Sequence, residues 1–137
     1  MQATLNTPVP ATISSAGVIW LKLSVIYLMI GVGMGIAMGI SQNFTLRPVH
    51  AHVNLLGFCT LALAGLIYSV FPRAGESILA KVHFWLLNLS LPVMMVSLAL
   101  LLRGNTKVIP ALGAAEVAAA FAILAFAANL FINLKKQ

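Results

Sequence analysis

Charge is what this chain has least of. Only 7% of its 137 residues are charged, and only Glu76 and Glu116 are acidic. A soluble domain carries several times that share, so a water-facing surface of ordinary composition is excluded. Cysteine is almost as scarce. Cys59 stands alone, which rules out an internal disulfide and leaves it to be read as a small buried hydrophobe within an apolar run. Residues 1–17 hold no basic side chain, so neither a signal-peptide n-region nor a basic arm is supported there.

Hydrophobic residues fill the space that charge leaves: 61% of the chain, with a mean hydropathy of +1.05. These values fit an integral membrane protein. Four apolar segments, about 18–40, 49–71, 78–102 and 109–134, each meet the requirement of about 20 residues for a helix that crosses a bilayer. The breaks between them, Ser41-Gln42-Asn43, 72–77 and 103–107, have loop chemistry. The expectation is an all-α membrane protein, with a polar tail over 1–17 and a four-helix domain over 18–137. The formal net charge of +6 would raise nucleic acid in a soluble protein. Here the basic residues stand singly at the edges of apolar runs, where they read as contacts to membrane lipid and as topology signals, so no nucleic-acid partner is expected.

Those edge charges suggest an orientation. With the N-terminus cytoplasmic, Lys22, Arg73, Lys81, Lys135 and Lys136 lie on that side, and Arg47, Arg103 and Lys107 on the other. The balance favours cytoplasmic termini in a bacterial inner (plasma) membrane, with Trp20, Tyr68 and Trp85 near the cytoplasmic interface.

The most specific feature is His50-Ala51-His52 at the start of the second segment. Ionisable side chains at membrane depth mark functional sites by default. On a helix, positions i and i+2 lie about 200° apart, so the pair cannot converge on one small ion from one helix; each looks toward a different neighbour. Arg47, Arg103 and Lys107 share that half of the membrane, which suits either an anionic group or lipid phosphate.

Other polar and small residues carry weaker signals. Gly31, Gly35 and Gly39 recur every fourth residue and permit close helix approach. Asn54 and Asn88 are expected to hydrogen-bond between helices. Glu116 sits within the alanine-rich fourth segment, where an acid could relay protons, pair with a cation or line a wet interface. The methionines are read as packing residues.

Two stretches together resemble a known family. His50-Ala51-His52-Val53-Asn54-Leu55-Leu56-Gly57-Phe58, ending Gly65-Leu66-Ile67-Tyr68-Ser69-Val70-Phe71-Pro72, is similar to the tenth helix of subunit I of haem-copper oxidases and nitric oxide reductases. Ala80-Lys81-Val82-His83-Phe84-Trp85 is similar to the start of its eleventh. The resemblance covers roughly 50–103, and it implies one arc of four helices out of a twelve-helix bundle. It further implies haem b as cofactor and iron as metal: His50 takes the place of the active-site haem ligand and His52 that of the low-spin haem ligand. Arg103 is the nearest counterpart of the family arginines that meet haem propionates, and Arg47, one of the cations at the same end, would face the same anionic edge, while His83 corresponds to no metal ligand.

The chain lacks the family's copper-ligand histidines, so a complete oxygen reductase is not expected. The resemblance instead implies a haem b-binding membrane protein for electron transfer or for binding or sensing a diatomic gas (nitric oxide or dioxygen), possessing at most an oxidoreductase-type activity. Its partners would be an electron donor or respiratory complex, and two further copies of itself in a homotrimer that rebuilds three arcs. The alternative is a non-catalytic accessory or assembly subunit of a respiratory oxidase.

Overall fold

The structure, a computed structural model, describes residues 15–134. Over that range it is helical throughout, with no strand, and four helices are long and apolar enough to cross a membrane. They are α1 (Ser15–Ser41), α2 (Arg47–Val70), α3 (Ile78–Leu102) and α4 (Ile109–Asn133). The protein is thus an all-α, multi-pass, four-helix membrane protein. A single helical turn, Pro72–Gly75, links α2 to α3, and a short 3-10 turn, Thr106–Val108, precedes α4.

Helix α1 is already helical at Ser15, the first described residue, three residues before its hydropathy suggests, and its first described turn is held close to α2 at Gly17. A Cβ there would lie 2.7 Å from the Gly65 carbonyl oxygen of α2, so the missing side chain lets the first turn of α1 lie directly on its neighbour. The polar tail expected over 1–17 otherwise lies outside the described residues.

Helix ends follow ordinary chemistry. Ser77 caps α3 by accepting the Ala80 amide at 3.0 Å. Pro48 sits in the first turn of α2, where its missing N–H costs nothing. Two left-handed residues reverse the chain after helices: Gln42 (φ 51°) beyond α1, and Gly104 (φ 92°) beyond α3.

Packing follows chain order. Antiparallel α1 and α2 form one tight hairpin and α3 and α4 the other, while α2 meets α3 closely near the Arg47 end of α2. At the opposite end the gap between hairpins is filled by Trp20, Tyr68, His83 and Phe126. Helices α1 and α4 share no extensive contact among the described residues, so the four lie as an open arc rather than a closed bundle. One end of the arc carries Ser15, Leu134 and the Pro72–Ser77 connection and is called here the terminal end; the loop end carries 42–46 and 103–108.

The α1–α2 contact depends on glycine. Gly31 of α1 receives Asn54, Gly35 receives the His50 ring, and Gly57 of α2 receives Tyr27. Gly39, the last member of the four-residue stripe, has nothing near it. Two other expectations are corrected. Cys59, at the end of the π-helical stretch Val53–Cys59, is exposed rather than buried. Trp20 and Tyr68 are not interfacial rings: they are 2% and 0% exposed and belong to the core, leaving Trp85 as the exposed one.

A methyl group at Gly57 would lie 2.6 Å from the Tyr27 ring and 2.8 Å from its Cβ, which cannot swing away. Gly57→Ala is therefore expected to destabilise the protein in detergent by about 1–3 kcal/mol, the usual range for overpacking. Gly33→Ala, with open space around it, should be neutral or stabilising by up to about 1 kcal/mol. Denaturant titration followed by circular dichroism compares the two.

Candidate functional site

The histidine pair occupies the first two turns of α2. Pro48 and the Phe44–Leu46 turn start the helix, whose Val49 and Val53 are buried in the core, so His50 and His52 flank that buried stripe on opposite sides. The divergence expected from the spacing is present: the His50 ring lies against Gly35 of α1, and His52 projects from the other side.

Their hydrogen bonds differ in a way that bears on chemistry. His52 Nδ1 lies 2.8 Å from the Pro48 carbonyl oxygen. A carbonyl can only accept, so Nδ1 carries the proton and donates, which places the lone pair on Nε2. Anchoring one ring nitrogen on a backbone carbonyl is the usual way a protein fixes the tautomer and angle of a metal-ligating histidine. For His50, the Asn54 side-chain nitrogen stands 3.4 Å from Nδ1 and 3.5 Å from Nε2, directed at neither, while it donates to the His50 carbonyl oxygen at 2.8 Å. Neither His50 ring nitrogen is therefore committed to a strong bond.

Immediately after the pair comes the π-helical stretch Val53–Cys59. Wider turns of this kind are rare and concentrate at functional sites. Thr60 stabilises this one, its hydroxyl donating to the Leu55 carbonyl at 2.9 Å beside the backbone bond to the same atom.

The expected basic residues share the loop end with the histidines but do not gather round them. Arg47 is exposed and its guanidinium sits 5.2 Å from the centre of the Phe44 ring. Arg103, next to the end of α3, instead lines a cavity of about 560 Å³. Met34, Ala37 and Met38 line it on the α1 side and Ser41 and Asn43 at the turn; neither histidine reaches it. Among the described residues no three His, Cys, Asp or Glu side chains come together as a metal site. Glu116 is exposed on α4, two turns inside the loop end.

A second polar cluster lies buried at the terminal end, centred on Asn129, which the sequence pattern did not single out. Asn129 of α4, 0% exposed, donates to the Tyr68 hydroxyl at 3.1 Å and to the Ala74 carbonyl at 2.9 Å, and accepts from Ser77 at 2.8 Å and Asn133 at 2.6 Å. Because Tyr68 accepts from Asn129, its own proton points to His83 Nδ1, 3.3 Å away. The His83 proton must then sit on Nε2, which is buried without a partner. The ring is held between Trp20 and Phe126, with centroids 4.5 and 4.7 Å away. His83 is thus a core residue that ties the hairpins together.

Asn54 and Asn88, expected to bond between helices, bond instead within their own, to His50 and Phe84 carbonyls. Asn129 performs that role. The rule that singled out those two applies equally to Asn129 in the apolar run of α4.

Comparison with protein-family models, curated proteins and solved structures finds no match to this chain. The chemistry of its site therefore rests on its own geometry.

Replacing Asn129 with Leu would remove the donor to the Tyr68 hydroxyl and the Ala74 carbonyl and the acceptor of the Ser77 hydroxyl, leaving each of these groups under-satisfied in an apolar interior. With about 1–3 kcal/mol at stake for each unsatisfied group, Asn129→Leu should cost at least about 2 kcal/mol. His83→Phe, which loses one long bond and removes an orphaned donor, should cost clearly less. Thermal unfolding in one detergent ranks the pair.

Proposed function

We propose that this chain is a haem b-binding membrane protein that serves electron transfer or the binding of a diatomic gas, with His50 and His52 as iron ligands at the interfaces of a homotrimer. The observation that carries this reading is the His52 imidazole: its Nδ1–H is fixed on the Pro48 carbonyl at 2.8 Å, leaving Nε2 with a lone pair at a partly open surface. The His50 ring, lacking a firm partner, is the second available imidazole. Bound haem would supply a one-electron iron couple, and nitric oxide or dioxygen would bind only where one of the two histidines leaves the iron.

One arc cannot surround such a group, and its two histidines diverge. Three arcs related by three-fold rotation close a ring through heterologous interfaces, each receiving His50 from one copy and His52 from the next. Arg47, one turn before His50, would meet the anionic edge of the haem at the loop end. This departs from the resemblance in one respect: Arg103 opens into a cavity of its own.

Purified trimer is expected to be red, with three haems per three chains and a six-coordinate, low-spin spectrum. His50→Ala and His52→Ala should each convert that spectrum to high-spin or lose the haem. A normal low-spin spectrum with full haem content in either variant would refute bridging by the pair. Colourless protein that travels with a larger oxidase would make the chain an accessory subunit instead.

The same reading places both described ends on the cytoplasmic side, on the balance of basic residues. In a Cys59→Ser background, a cysteine at exposed Asn105 should react with impermeant maleimide from outside intact cells and one at exposed Glu76 should not. The reverse pattern would invert the orientation.

A further inference from the structure

The loop-end cavity belongs to no part of the proposed haem site, and its chemistry is one-sided. Its apolar wall is formed by Met34, Ala37 and Met38 of α1. The rim is polar, and the Ser41 and Asn43 side-chain oxygens are already engaged. Asn43 Oδ1 accepts the Thr45 amide at 3.0 Å, and the Ser41 hydroxyl donates to the Ala37 carbonyl at 2.7 Å while accepting the Asn43 amide at 3.3 Å. What the rim still offers are donors: the Asn43 side-chain amide, the Thr45 hydroxyl and the Arg103 guanidinium.

Charge points the same way. Arg47, Arg103 and Lys107 are all at this end. Of the two acids, Glu76 lies in the connection at the terminal end, and Glu116 lies two turns inside α4. A cavity with donors and cations at the membrane boundary and methionines below suits an anion that carries an apolar tail. A guanidinium beside amide and hydroxyl donors matches phosphate oxygens.

We propose that the cavity between α1, the 42–46 turn and Arg103 binds one anionic phospholipid per chain, its phosphate on Arg103, Asn43 and Thr45 and an acyl chain over Met34 and Met38. The left-handed Gln42 turns the chain between Ser41 and Asn43, both of which line the cavity. A lipid seated there would brace α1 against α3 at the end where no aromatic cluster joins the hairpins.

Delipidated protein, titrated with phosphatidylglycerol or phosphatidylcholine of identical chains and read by native mass spectrometry, tests this. One phosphatidylglycerol per chain should survive activation that strips phosphatidylcholine. Arg103→Gln should weaken its retention about tenfold or more, as expected for a lost charge-assisted bond worth at least about 1.4 kcal/mol. Lys107→Gln, outside the cavity, is the control and should not. Retention should persist in the His50→Ala/His52→Ala chain, so a failure of the haem reading leaves the lipid result standing. The proposal is overturned if both lipids are held equally, if inorganic phosphate at millimolar concentration displaces phosphatidylglycerol, or if Arg103→Gln spares lipid and releases haem.

Discussion

A polypeptide in hydrocarbon has no water with which to share its hydrogen bonds. Every backbone group must be satisfied within its own segment, and every polar side chain must find a partner inside the protein. That constraint accounts for the four long helices and for the placement of their few polar residues. It is most visible in Asn129, which donates to and accepts from neighbours across α2, the Pro72–Gly75 turn, Ser77 before α3, and α4. The two hairpins are held together at the terminal end because one amide must be satisfied completely.

The loop end is organised differently. There α1 and α2 approach through Gly31 and Gly35, and the close approach leaves the His50 ring against bare backbone and His52 on the far side of its helix. A rigid hairpin thus presents two imidazoles in opposed directions, beside a π-helical stretch that departs from regular α geometry. The terminal end contributes stability. The loop end holds the groups with unspent bonding capacity: the His52 Nε2 lone pair, the His50 ring nitrogens, and the donors around the Arg103 cavity.

The open arc gives these features a common consequence. A closed four-helix bundle would bury its polar residues on a central axis. Here α1 and α4 remain apart, and large apolar side chains such as Met29 (70%) and Phe131 (91%) stay exposed on a single chain. Exposed Glu116, two turns inside α4, has no cation beside it among the described residues of its own chain. In an apolar medium such a surface is met by lipid or by other copies, and the proposed ring of three arcs covers part of it while setting histidines of adjacent copies face to face.

What the sequence by itself determined was the helices and the direction of the histidines. Length and hydropathy locate each span to within a few residues, since a bilayer demands about 20 apolar residues whatever the fold, and the helical repeat alone separates His50 from His52. The sequence also singled out Gly31 and Gly35. Only the tertiary structure decided which polar residues serve which neighbours. Asn54 and Asn129 are equally conspicuous in the sequence, yet one bonds within its helix and the other joins three segments, because pairing depends on the rotation of one helix against the next. The same rotation buried Trp20 and Tyr68, exposed Cys59, and gave Arg103 a cavity apart from the histidines. Helix rotation is set by summed side-chain contacts between segments distant in sequence, and no local pattern of residues encodes it.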